Sequence, residues 1–145
     1  MESTQSTARS APAAVLRAGQ SLLAVICGYA VVALGTTFFF EVLLGGIGYY
    51  KSSAAVLAAA TLGAILSGLA GGYTAAWIGR RAPLWHAVGV LLPLAIDTTY
   101  VITSGISSDP IWFDLAGSLT LMLTAVLGGY LRQARQAARQ TSPPG

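Results

Sequence analysis

Four long apolar stretches, separated by short polar breaks, limit the folds open to this chain more than any other feature. They cover residues 21–44, 53–78, 84–103 and 111–131 of a 145-residue sequence. A helix that crosses the hydrocarbon core of a bilayer needs about 20 apolar residues. Because the backbone in lipid must satisfy its own hydrogen bonds, single stretches of this length can cross only as helices. Since the breaks are short, the sequence predicts an all-α polytopic membrane protein with four antiparallel transmembrane helices.

The composition agrees with this prediction. Only 9% of the residues are charged, whereas a soluble domain carries roughly 25%. The four stretches leave no room for a separate soluble domain. We therefore expect a flexible cytoplasmic N-terminal tail at 1–20, a transmembrane domain at 21–131 and a basic cytoplasmic C-terminal tail at 132–145.

The basic residues give the chain an orientation. The predicted spans place the eight Lys and Arg residues on two sides of the membrane, and only Lys51 lies on one of these sides. The seven on the other side are Arg9, Arg17, Arg80, Arg81, Arg132, Arg135 and Arg139. Basic residues in short loops are retained in the cytoplasm, which predicts the bacterial inner (plasma) membrane with both termini cytoplasmic. The net charge of +3 does not indicate a nucleic-acid partner, because these charges lie at the membrane edges.

Small residues recur at every fourth position of the second stretch and again near the end of the fourth. Such spacing makes a flat strip on which another helix can pack closely. The residues expected to pack helices are Gly63, Ser67, Gly68, Gly71, Gly72, Gly128 and Gly129. Two interpretations are open. The strips pack helices within one chain, or one strip binds a second copy or a partner subunit.

The two halves of the chain share a short pattern. A Gly-Gly-Tyr sequence ends both the second and the fourth stretch, with an offset of 57 residues. At an offset of 56 residues, Glu41 of the first stretch matches Asp97 of the third. The pattern suggests a duplicated two-helix hairpin, with coincidence in a Gly-rich chain as the alternative.

Three carboxylates, those of Glu41, Asp97 and Asp114, lie in or near the apolar stretches. An acid at depth costs at least ~2.5 kcal/mol, so it normally faces a partner, a cavity or water. Pro93 precedes Asp97 by one turn and predicts a kink in the third span. In one hypothesis Asp97 is protonated or bonded to neighbouring Thr and Tyr hydroxyls, and it holds the helices in register. In the other, the three acids form a site for a proton or a cation.

Other chemistry is sparse. His86 stands with Arg80 and Arg81 at the predicted cytoplasmic interface, where it is most simply part of the headgroup boundary. The single cysteine, Cys27, and this one His cannot supply a metal or haem site. The sequence lacks the nucleophile-elbow, phosphate-loop and dinucleotide motifs. We therefore expect no metal, no cofactor and no enzymatic activity.

The stretch 69–87 carries a resemblance to a known group of proteins. It runs from a Gly-Gly-Tyr helix end (71–73) through a basic-Pro turn (80–83) to a His-Ala helix start (86–87). In this it resembles the central segment of uncharacterised small bacterial four-helix membrane proteins. Because those proteins have no assigned function, the resemblance implies the architecture and transfers no active site.

Two functions follow as expectations. The first is an integral inner-membrane protein without catalytic activity, an accessory subunit or small homo-oligomer assembled through the Gly-rich helix faces. Its partners would be the lipid bilayer and either a second copy or another membrane protein. The alternative is a small cation- or proton-coupled transporter that uses the intramembrane carboxylates.

Overall fold

The computed structural model describes residues 11–79 and 82–141, and within them the side chains of 15–79 and 82–140. Every regular element in these ranges is helical. The elements are α1 (Ala11–Thr37), a π-helical segment (Phe38–Leu43), α2 (Ala54–Ile78), α3 (Pro83–Gly89), α4 (Leu91–Ser104) and α5 (Ile111–Thr141). The structure confirms the prediction of an all-α chain.

Four helical stretches are long and apolar enough to cross a membrane. They are Val15–Leu43, Ala54–Ile78, Pro83–Ser104 and Ile111–Gln140. The helices extend beyond the predicted spans at both ends of the chain, because α1 already begins at Ala11 and α5 continues to Thr141. Half of the predicted N-terminal tail is therefore helical. The rest of that tail, Arg80, Arg81 and residues 142–145 lie outside the described residues.

The third span is broken into α3 and α4 at Val90, close to the predicted kink. Pro93 has no N–H group, and its ring would collide with the carbonyl group four residues earlier. That carbonyl belongs to Gly89, the last residue of α3. The chain bridges the break with a short-range bond from the Val90 N–H to the Ala87 carbonyl at 3.2 Å. The proline thus explains why the helix is interrupted one turn before it.

Local sequence also explains two helix ends, the start of α2 and the end of α4. The Ser53 hydroxyl caps α2 by accepting a hydrogen bond from the Val56 N–H at 3.4 Å, the usual role of serine at this position. Gly105 ends α4 with a φ of 65°, a left-handed conformation that glycine adopts without steric penalty. Ser53 thus ends the loop 44–53, and Gly105 begins the loop 105–110. We call these two connections the outer loops, after the side that the sequence predicts for them.

Helix α2 lies at the centre of the bundle and uses its two small-residue strips on two different neighbours. Gly63, Ser67 and Gly71 face the first span: Gly63 packs on Phe39, Ser67 on Gly35 and Gly71 on Val32. Gly68 and Gly72 instead face α5, at Thr124 and Ala125. Gly128 and Gly129 of α5 return the contact, packing on α2 and on Ala87 of α3. All seven predicted packing residues therefore lie at contacts between helices of the same chain.

The side chains are sorted as expected for a protein in lipid. The buried apolar residues are mostly alanines, and Val32 and Val90 are the largest that are fully buried. Large residues point outwards instead: Leu34 is 72% exposed and Leu62 is 61% exposed. Since lipid tails are as apolar as leucine, close packing of small residues holds such a bundle together.

Replacing Gly72 with alanine should destabilise the bundle, because the new methyl group would overlap the Ala125 carbonyl group of α5. Overpacking of this kind typically costs about 1–3 kcal/mol. The measurement is the free energy of unfolding of the purified protein, by titration with a denaturing detergent. Gly117→Ala is the matched control, because a Cβ at Gly117 meets no atom within 4 Å. The control should gain up to about 1 kcal/mol from helix propensity. Equal losses in the two variants would contradict the packing described here.

Candidate functional site

The three predicted site carboxylates lie in three different surroundings. Glu41 is exposed on the π-helical segment, and Asp97 is exposed on α4. Asp114 is half-buried in the first turn of α5. Among the described residues, no three His, Cys, Asp or Glu side chains lie close enough to hold one metal ion. The structure therefore does not bring the three acids together as a shared metal site.

Asp97 has no hydrogen bond from any residue that the structure describes. The Thr98 hydroxyl is bonded to the Leu94 carbonyl at 2.8 Å and to the Ser118 hydroxyl at 2.7 Å. The Thr99 hydroxyl donates to the Ala95 carbonyl at 2.7 Å. Asp97 lies within electrostatic range of the Tyr29 phenol group of α1. The hydroxyl groups of the neighbouring threonines are thus bonded to backbone carbonyls and to Ser118 of α5. The Asp97 carboxylate lies at the surface of the chain.

A fourth acid, Asp109, joins the two outer loops. One of its carboxylate oxygens, Oδ1, accepts a hydrogen bond from the Tyr49 N–H at 3.0 Å. Its own N–H donates to the Ser107 hydroxyl at 3.2 Å, and that hydroxyl donates to Oδ1 of Asp114, also at 3.2 Å. The sequence analysis missed Asp109. The signal was an Asp-Pro pair directly before a helix, where a capping acid and a first-turn proline are favoured.

Aromatic residues of the two outer loops pack against one another. The Tyr49 ring centre lies 5.0 Å from that of Trp112 and 5.7 Å from that of Phe113. Tyr50 stacks edge-on against Tyr49 at 5.1 Å. The pairs of Tyr49 with Tyr50 and with Trp112 are edge-to-face, and such pairs add about 0.5–1.5 kcal/mol beyond area burial. The aromatic contacts and Asp109 together fix the start of α5 beside the loop that precedes α2.

At the opposite end of the bundle, His86 connects α3 to α1. Its Nδ1 lies 2.7 Å from the Ala82 carbonyl, and its Nε2 lies 3.1 Å from the Ser21 hydroxyl. Because a carbonyl group only accepts, Nδ1 carries a hydrogen and donates it to Ala82. Gln20 adds a second link, donating to the Ile78 carbonyl at 3.1 Å. The Arg80 and Arg81 side chains predicted beside His86 lie outside the described residues.

Basic residues of α5 also reach the cytoplasmic end predicted from the sequence. The Arg135 guanidinium lies over the Tyr73 ring of α2, 5.7 Å from the ring centre. This cation–π contact joins the extension of α5 to the Gly-Gly-Tyr end of α2. Cys27 of α1 is a free, half-buried thiol.

Comparison with known proteins finds no matching family model, no similar curated protein and no similar solved structure. Function must therefore be inferred from the positions of the polar side chains in this bundle.

Proposed function

We propose that this chain is a non-catalytic integral protein of the bacterial inner membrane that works as a subunit of a membrane-embedded assembly. The second member is either another copy of this chain or a different membrane protein. One observation carries the proposal: Asp97 is exposed on α4 and is the one charged residue of that helix.

The surroundings of Asp97 are those of a lipid-facing surface. Leu92 is 68% exposed, Ile96 is 62% exposed and Tyr100 is 60% exposed. We name Leu92, Ile96, Asp97 and Tyr100 the α4 face. Asp97 lies seven residues before the end of the span at Ser104, which places it about 10 Å from the outer end of the helix. The carboxylate therefore lies at hydrocarbon depth.

A single chain in lipid would leave this acid in an unfavourable place. An ionisable group in the hydrocarbon costs at least ~2.5 kcal/mol unless it meets a partner or water, and the described residues donate no hydrogen bond to it. A second protein chain covering the α4 face would remove the acid from lipid and provide a donor. Assembly is the arrangement that relieves this cost without moving any helix of the bundle.

The α4 face replaces the Gly-rich faces as the proposed assembly surface. The sequence alone leaves open that one small-residue strip of α2 binds a partner. Both strips are covered by helices of the same chain, α1 on one side and α5 on the other. The proposal therefore assigns the glycines to the stability of the monomer.

The absence of catalysis is also part of the proposal. Ser21 and His86 are hydrogen-bonded, as a nucleophile and a base would be. However, Ser21 lies well inside α1, where backbone N–H groups are used by the helix itself. Acyl transfer needs free donors aimed at the developing oxyanion, and the middle of a helix does not supply them. The pair is better explained as a link between α1 and α3.

The arrangement of the spans supports the predicted topology. Gln20 meets Ile78 near one end of the α1–α2 pair, while Gly35 meets Ser67 farther along it. From the first contact to the second, residue numbers rise along α1 and fall along α2, as they do in antiparallel neighbours. We infer antiparallel successive spans, with Arg17 and the arginines of α5 on the cytoplasmic side by the positive-inside rule. The hairpin duplication stays a prediction.

A second candidate function is cation- or proton-coupled transport through Asp97 and Glu41. The observation that favours it is the π-helical segment Phe38–Leu43, which carries Glu41. Such segments are rare and are frequently found at functional sites.

The assembly proposal predicts that Asp97→Leu lowers the oligomeric state. The measurement is native mass spectrometry of the full-length protein, gently extracted from its own membrane. We expect a stoichiometric complex for the wild type and free chain for the variant. Because leucine is favourable in lipid, the variant should insert and fold at least as well as the wild type. Glu41→Leu, which replaces another exposed carboxylate, should leave the complex intact. A monomeric wild type, or an unchanged complex in Asp97→Leu, would contradict the proposal.

The transport candidate makes a different prediction for the same residue. Wild-type protein in liposomes should carry a pH-linked cation flux, and Asp97→Asn should reduce the rate at least about tenfold, as loss of a group used in proton transfer does. Glu41→Gln should have a similar effect. The readout is an internal pH dye after a cation gradient is applied, with empty liposomes as the blank. Equal fluxes for wild type and Asp97→Asn would sink this candidate.

Orientation can be tested with two reporter fusions. Green fluorescent protein joined to the C-terminus should fluoresce, because that terminus is expected in the cytoplasm. Alkaline phosphatase joined after Ser108, in the loop before α5, should be active because it is exported. The reverse pattern, dark fluorescent protein and inactive phosphatase, would overturn the predicted orientation.

A further inference from the structure

A groove with a volume of about 400 Å³ opens between α2 and α5, near the outer loops. Its upper wall is aromatic and consists of the Phe40, Tyr49, Trp112 and Phe113 rings. Its lower wall is made of small and aliphatic residues of α2 and α5, with Gly117 among them, and α4 contributes no residue to it. The volume falls within the range of about 300–1,000 Å³ that is typical of small-molecule sites.

The charge in this groove has one sign. Asp114 is the one acidic residue in its lining, and no Lys, Arg or His lines it. Asp114 lies in the first turn of α5. Ser107 is the one hydrogen-bond donor to this carboxylate among the described residues. Since a carboxylate can accept about four hydrogen bonds, Asp114 keeps most of its capacity for a ligand.

We propose that this groove binds a lipophilic organic cation, such as a hydrophobic amine or a phosphonium ion, that enters from the outer half of the membrane. The cationic centre lies against Asp114, and the apolar body fills the space between the rings and Gly117. Aromatic faces attract cations as well as apolar groups, so both walls favour the same ligand. An anion of the same shape is repelled by Asp114. The groove and the α4 face share no residue, so failure of the assembly proposal would leave this one standing.

The test uses tetraphenylphosphonium as the probe and tetraphenylborate, which has the same shape and the opposite charge, as its control. Binding to the purified full-length protein in detergent micelles is measured by equilibrium dialysis against protein-free micelles. We expect saturable binding of one phosphonium ion per chain and no saturable binding of the borate. Asp114→Asn should weaken phosphonium binding about tenfold or more, as loss of a charged contact does. Asp97→Asn should leave the Kd within about twofold, because Asp97 is outside the groove.

A second variant keeps the test decisive if Asp114→Asn does not fold. Gly117 lines the groove, and a Cβ at this position meets no atom within 4 Å. Gly117→Leu should therefore fill the groove and abolish phosphonium binding. Gly19→Leu is its matched control, because Gly19 of α1 is equally open and lies outside the groove. Non-saturable uptake, equal binding of the borate, or unchanged binding in Asp114→Asn and Gly117→Leu would each overturn the proposal.

Discussion

Contact between helix backbones at glycine is the interaction on which the rest of this bundle depends. Gly72 of α2 lies against the Ala125 carbonyl of α5, and Gly71 lies against the Gly28 carbonyl of α1. A lipid bilayer offers no hydrophobic drive for helices to associate, so attraction in that environment comes from such close packing. The two contacts hold α1 and α5 on adjoining sides of α2. The groove walls and the outer-loop contacts are both positioned by them.

Much of the fold could be predicted because length, apolarity and helix breakers are local properties. The four candidate spans follow from hydropathy, and the break between α3 and α4 follows from Pro93 acting on the Gly89 carbonyl. Spacing also marked the small residues of α2 as packing surfaces. The helix on which each strip packs could not be predicted, because it depends on how helices distant along the chain are arranged. The alternative of a spare strip was therefore open until the contacts were known.

The candidate site was less predictable, for a related reason. The position of each acid along its span placed Glu41, Asp97 and Asp114 together on the outer side. Position along the span does not give the direction in which a side chain points, because a helix turns by about 100° per residue. Asp97 is therefore turned to the surface while its neighbour Thr98 is turned towards α5. Asp109 could not be found from depth at all, because its partner Tyr49 is 60 residues away along the chain. Rotation about the helix axis and pairing between loops decide what each acid can do.

The two proposals give Asp97 and Asp114 different kinds of partner, in keeping with their separate positions in the bundle. An exposed carboxylate on a helix face at membrane depth is relieved by a partner that covers that face, which suits a protein chain. A half-buried carboxylate under aromatic rings suits a small molecule that fits the groove. Thr98 and Ser118 connect the two regions, since their hydroxyl groups are 2.7 Å apart and Ser118 also lines the groove. By thermodynamic linkage, any effect of ligand on assembly must be matched by an equal effect of assembly on ligand affinity.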